Sequence, residues 1–212
     1  MRFRKILGSE TLTSAFYKRE NTSPYATHIP ILTYLLHNQK PKNILEYGGG
    51  EFSTSLFLDQ ETFPFVRQLT TVEDNKEWAE KLNNQFKGNP KWNLAYVNPT
   101  EKYDLNLALN DFDLIFIDDC LLPEDRAKTV DFVLTNTTDT TVIVHDFEKR
   151  KLNSKRKMIH YSFIGKYWKP QTGILSSSKP SYIQGLKEFC GKVKSEKIEL
   201  TDYRSQLKLI KT

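Results

Sequence analysis

Ile44-Leu45-Glu46-Tyr47-Gly48-Gly49-Gly50-Glu51-Phe52-Ser53-Thr54 is the stretch on which the reading of this chain turns. Asn43 to Tyr47 reads as a short buried strand that runs straight into three glycines. Glycine permits a tight turn and removes the Cβ that would collide with a ligand approaching the backbone. Ser53 to Gln60 then reads as a helix, with Ser53 or Thr54 suited to its N-cap. Strand, glycine turn and helix in that order put the loop at the C-terminal edge of an open α/β sheet, where such sheets bind ligands.

The flanks repeat the pattern. Short apolar runs alternate with segments of helical period, as in an α/β protein with a parallel sheet. Val66 to Glu73, Trp92 to Val97, Phe112 to Ile117 and Thr141 to Val144 read as further strands. Asn75 caps a helix running through Phe86, and Pro123 to Leu134 reads as a helix with acids in its first turn. Upstream, residues 24–39 read as a helix broken or offset at Pro30. Beyond Arg150 the rhythm weakens: Lys157 to Tyr167 and Gly173 to Ser177 suggest an antiparallel closing pair, Pro180 to Lys194 a helix, and Gln206 to Ile210 a last strand. The expected organisation is one domain over residues 1–212, with a core of about 24–178 and a basic elaboration over about 179–212.

A second acid-bearing signal, Thr71-Val72-Glu73-Asp74-Asn75, lies 23 residues beyond Gly50. A carboxylate at a strand end there can accept two hydrogen bonds from a ribose diol, the usual grip of this fold on a nucleoside. Asp118-Asp119 ends the fourth strand and His145-Asp146 the fifth, both facing the edge that carries the glycine loop. An unperturbed histidine titrates near pH ~6.5 and can take a proton from an acceptor hydroxyl.

Together these motifs resemble class I S-adenosylmethionine (SAM)-dependent methyltransferases, above all small bacterial-type members that read roughly ILE-x-G-x-G-x-ST and then VE-x-D/N-x-x-W. The resemblance spans about residues 24–147 and is specific to the superfamily, not to a substrate. It implies a Rossmann-like, mainly parallel seven-stranded sheet with helices on both faces, in strand order 3-2-1-4-5-7-6 with the seventh antiparallel. It also implies SAM as cofactor. Glu46, Gly48, Gly49 and Gly50, with Ser53 and Thr54, would surround its methionine part, and Glu73, with Asp74 as the alternative, would hold the ribose hydroxyls. Asn98 would lie near the adenine, and Asp118 would touch the methionyl end. His145 and Asp146, with Asp119 or Asp118, would form the acceptor side. One departure is Phe52, which stands where the commoner pattern has a third glycine.

Asp118, Asp119, Asp146 and Glu148 can also be read as oxygen ligands for Mg²⁺. Cation-dependent O-methyltransferases have an Asp-Asn pair after the fifth strand; Asp146-Phe147 leaves that set incomplete, so no metal is assigned.

Bulk properties bound the function. The chain has 212 residues, 31 basic and 26 acidic side chains, and 38% hydrophobic content, as expected of a globular protein. Charge is unevenly spread: residues 101–147 carry 3 Lys/Arg against 11 Asp/Glu, and residues 148–212 carry 16 against 5. The basic segment can attract nucleic acid or an acidic surface, though a solvated face is the commoner origin of such charge. Terminal aromatics Tyr161, Phe163, Tyr167 and Trp168, interleaved with lysines, fit closing strands better than a nucleic-acid platform. The two cysteines, Cys120 and Cys190, imply no disulfide framework, and no run approaches a membrane span, so a cytoplasmic protein is expected. The expected activity is methyl transfer to an oxygen or nitrogen of a small molecule or sugar. The alternatives are a nicotinamide-dependent oxidoreductase, against which Gly48-Gly49-Gly50 departs from G-x-G-x-x-G, and a non-catalytic module binding nucleic acid.

Overall fold

The computed structural model describes residues 26–119, 123–146, 161–162, 172–175, 181–196 and 198–210. Its elements, in chain order, are α1 (Ile29–Gln39), β1 (Asn43–Tyr47), α2 (Ser53–Phe57), β2 (Gln68–Glu73), α3 (Lys76–Phe86), β3 (Trp92–Tyr96), β4 (Leu114–Ile117), α4 (Pro123–Asn136), β5 (Thr141–His145), β6 (Tyr161–Ser162), β7 (Thr172–Leu175), α5 (Ile183–Ser195) and α6 (Tyr203–Ile210).

The strands form one mixed sheet in the order β3-β2-β1-β4-β5-β7-β6. Six of them have four to six residues; β6 is a two-residue stub at the edge. β1 runs parallel to β2, with Ile44 opposite Leu69, and to β4, with Ile44 opposite Leu114. β7 is antiparallel to both β5 and β6.

Alternation along the strands sends side chains to opposite faces. Ile44, Leu69, Leu114, Phe116 and Ile143 join one apolar core with α1, α3, α5 and α6. Leu45, Tyr47, Ile115, Ile117, Val142 and Val144 join a second core with Val130 and Val133 of α4. The same parity governs the polar residues at the strand ends, and it decides which of them can meet.

Several boundaries differ from the sequence reading for physical reasons. α1 starts at Ile29 with Pro30 in its first turn, where the missing N–H costs nothing, so the proline begins the helix rather than breaking it. Asn75 caps α3, its side chain accepting from Trp78 N–H at 3.0 Å. The expected last strand over Gln206 to Ile210 is instead helix α6. Its inward residues Tyr203, Gln206, Leu207 and Ile210 follow helical i, i+3, i+4, i+7 spacing, which a short window mistakes for alternation. α5 and α6 pack on α1 and share its core, and Arg204 of α6 reaches Asp59 at 3.1 Å. No helix among the described residues is long and apolar enough to cross a membrane.

Candidate active site

β1 and β4 are adjacent although two strands separate them in sequence, so their C-terminal ends form the sheet's topological switch point, the crevice in which open α/β sheets bind ligands. The ladder continues into these loops: Gly48 N–H donates to Val72 O at 2.9 Å and Asp118 N–H to Tyr47 O at 2.8 Å. Gly48 has φ +78°, and a Cβ there would lie 2.6 Å from the carbonyl of Asp118. At Gly49 a Cβ would meet Leu82 Cδ1 at 2.4 Å and Thr71 Cγ2 at 2.7 Å. Gly48 is therefore required by backbone packing, whereas a side chain at Gly49 would need the ends of Leu82 and Thr71 to shift. Gly50 is the least crowded of the three: a Cβ there would meet only Ser53 Oγ, at a tight 3.1 Å.

Glu46, Ser53 and Thr54, expected as cofactor contacts, bond to one another. All three are buried. Ser53 Oγ donates to Glu46 Oε1 at 2.6 Å, while Thr54 Oγ1 and Thr71 Oγ1 donate to Oε2 at 2.7 and 2.9 Å. The threonine hydroxyls accept in turn from Gly50 N–H and Trp92 Nε1–H. The carboxyl group thus ties the glycine loop and the first residues of α2 to β2. Nor does either hydroxyl residue cap α2: Phe52 holds that position with no side-chain bond, and the helix ends at Phe57. Burial raises the Glu46 pKa to about 7, outweighing the three hydroxyl donors that favour the ionised form.

Glu73 is likewise turned to the backbone. One oxygen accepts from Gly49 N–H at 3.1 Å, and the other accepts from Asp74 N–H and Asn75 N–H. Of roughly four acceptor positions on a carboxylate, one stays open. Trp78 Nε1–H closes the same loop by donating to Gly49 O at 2.5 Å. Asn98 is exposed and donates to Glu101 at 2.9 Å.

Parity separates the two acids after β4. Asp118 projects to the α1 side, with its side chain 25% exposed and Arg126 at 3.2 Å. Burial and the nearby Asp146 and Asp119 raise its pKa to about 6, against His145 and Arg126. Asp119 projects to the α4 side and is buried, where Lys102 Nζ lies at 2.7 Å and the Thr129 hydroxyl donates to it. The Asp119 carboxylate is thus held inside the fold, and of the two acids it is Asp118 that lies beside His145. Lys102 Nζ also meets Asp74 at 2.8 Å, pinning the end of β2 to the end of β4.

His145 is buried, its Nδ1 3.2 Å from Thr172 Oγ1 and its Nε2 3.8 Å from Asp146 Oδ1. Asp146, at φ +53°, is 44% exposed. Arg126 binds this edge together: Nε donates to Asp119 O at 2.7 Å, Nη1 donates to His145 O at 2.8 Å and lies 3.3 Å from Asp146. The structure thus brings His145, Asp146 and Asp118 to one edge and excludes Asp119. Glu148, Cys120, Phe163, Tyr167 and Trp168 lie outside the described residues.

Among solved structures, the fold matches Rv0187 from MTB in a cofactor-bound crystal structure, with TM-score 0.54 and 15% identity over 81% of this chain and 92% of that one. It also matches the O-methyltransferase from Bacillus cereus in complex with SAH (TM-score 0.51, 14% identity, 82% and 90% covered). A third match is the SAH-bound Podospora anserina methyltransferase PaMTH1 (0.52, 14%, 70% and 77%). The chain has the class I methyltransferase fold. No family model and no curated protein matches it by sequence. Within the class I methyltransferase fold, the sequence reading had overlooked Lys102 and Arg126. They are two of only three basic residues in the acidic stretch 101–147, and that isolation was the available signal.

Proposed function

We propose that the protein is a SAM-dependent methyltransferase acting on an oxygen or nitrogen of a small-molecule or sugar acceptor. The observation that carries this reading is the glycine loop at the β1–β4 divergence, rimmed by Asp74, Asp118 and Asp146. A side-chain-free loop beside partly exposed carboxylates suits a cationic, nucleoside-bearing ligand. When bound, SAM supplies a methyl group on a cationic sulfonium, so transfer is an in-line displacement that asks the protein mainly for alignment. Gly50 presents bare backbone to the methionine part. Glu73 shapes the loop through Gly49 N–H and offers its one open acceptor position, beside Asp74, to the ribose. Asp118 faces the methionyl end, and His145 with Asp146 forms the acceptor side, where one of them takes the acceptor's proton.

The test is a transfer assay with methyl-labelled SAM against small molecules and sugars bearing hydroxyls or amines, with nucleic acid as a separate arm. Label in a small-molecule product supports the reading. Saturable SAM binding with no transfer and salt-sensitive binding to nucleic acid would favour a non-catalytic module instead.

A further inference from the structure

His28 stands just before α1 and is buried against the ends of β4 and β5. Its ring lies 5.2 Å from that of Phe116 and meets His145 edge to face at 4.6 Å, centroid to centroid. Neither of its ring nitrogens has a hydrogen-bond partner among the described residues. A buried imidazole with both ring nitrogens idle costs stability, and such groups call for an explanation.

The sheet's alternation supplies one. Phe116, Asp118, Ile143 and His145 share the parity that faces α1, which is where His28 enters. One ring nitrogen of His28, one of His145 and one carboxylate oxygen of Asp118 lie within 4.8 Å of one another. Donors around an ion with bonds near ~2.1 Å sit about 3–3.5 Å apart, so modest side-chain rotation closes the set. Outer contacts already orient two of the three: Thr172 Oγ1 lies 3.2 Å from His145 Nδ1, and Arg126 lies 3.2 Å from Asp118. The charged groups facing the cluster are the carboxylates of Asp118 and Asp146 and the guanidinium of Arg126.

We propose that His28, His145 and Asp118 bind one divalent transition-metal ion of the zinc, cobalt or iron(II) class, with its remaining positions open to the cleft through the partly exposed Asp118. Two imidazole nitrogens and one carboxylate select this class over Mg²⁺, which prefers oxygen donors and retains water. The set differs from the all-oxygen one considered from sequence, because Asp119 is committed to Lys102 and His28 is far away in the chain. The catalytic consequence rests on the methyl-transfer reading: an ion there would bind the acceptor oxygen and lower its pKa, with Asp146 rather than the ligating His145 taking the proton. The binding itself does not rest on that reading.

The test uses the full chain, stripped with chelator and dialysed, then titrated with Co²⁺ followed by visible absorption. One Co²⁺ per chain is expected, displaced by Zn²⁺ but not by millimolar Mg²⁺. His28→Gln and Asp118→Asn should each weaken binding at least tenfold, and His37→Gln should leave it unchanged. Asp118 is partly exposed, so its variant keeps the test decisive if His28→Gln fails to melt cooperatively. Absence of saturable binding, equal affinity in the Asp118→Asn chain, or Mg²⁺ binding as tight as Zn²⁺ would overturn the site. SAM affinity is measured separately on the same stripped protein. Cobalt binding by a chain that does not bind SAM supports the site and removes its catalytic consequence; SAM binding without cobalt binding overturns the site alone.

Discussion

Gly48 rests on the backbone of Asp118: a Cβ at its position, with φ at +78°, would lie 2.6 Å from the Asp118 carbonyl carbon and oxygen. The loop that ends β1 and the loop that ends β4 are thus in backbone contact at the point where the cleft opens.

Gly48→Ala should accordingly cost more than the roughly 1–2 kcal/mol of a left-handed L-residue, because backbone rather than a flexible side chain must move. Gly191→Ala, within α5 with open space around it, should stabilise by about 0.5–1 kcal/mol. Urea unfolding of both variants checks this. Equal, near-zero changes would mean that the loop yields and that the contact does not define the cleft.

The Glu46 network makes stability fall as pH rises. Glu46 near 7 and Asp118 near 6 both lie above the unfolded carboxylate range, so between about pH 4.5 and 7 the folded chain holds more protons. Stability from these groups is complete below that window and declines through it. Thr54 and Thr71 each have their single proton committed to Glu46, so a proton or an amide on Glu46 must face Ser53, which can accept it. Glu46→Gln should therefore fold, flatten the decline between pH 5 and 8, and exceed the parent by roughly 1–3 kcal/mol at pH 8. Thermal melts across that range provide the check; a parent-like slope in the variant would contradict it.

How much of this was legible in advance follows from where the information lies. Local pattern exposed the strand–glycine–helix unit, the Asn75 cap and the strand-end acids, because each is a contiguous signal. Which way a strand-end residue points depends on parity and on the neighbouring strand. Asp118 and Asp119 were therefore interchangeable in sequence, yet they project to opposite faces. Glu46, Ser53 and Thr54 looked like ligand contacts because hydroxyls and a carboxylate beside glycines commonly are. Only the fold shows Thr71 completing a closed set with them. His28 had no local signal at all, since its partners lie 90 or more residues away.

Lys102 should be the costliest charged residue to remove. It is buried between Asp74 and Asp119, and taking away one member of such a set leaves a carboxylate uncompensated in the interior. Lys102→Met should destabilise by about 3–5 kcal/mol, and adding Asp119→Asn should recover part of the loss. Denaturant titration of the single and double variants distinguishes this from simple loss of packing, in which case the second substitution would restore nothing.

On the acceptor side, His145→Ala and Asp146→Asn should slow methyl transfer by roughly 10²–10⁴-fold while leaving SAM affinity close to that of the parent. Turnover with an acceptor found by screening, measured beside donor binding, separates the two effects. Variants that turn over like the parent would make these residues scaffold.

The central claim is that the cleft between β1 and β4 takes SAM. Calorimetric titration of the full chain with SAM, with NAD in parallel, tests it without any knowledge of the acceptor. One SAM per chain should bind saturably, Glu73→Ala should weaken it by roughly 1.5–3 kcal/mol, and NAD should produce no saturable heat. Tight NAD binding, or a cooperatively folded chain that binds no SAM, would contradict the account.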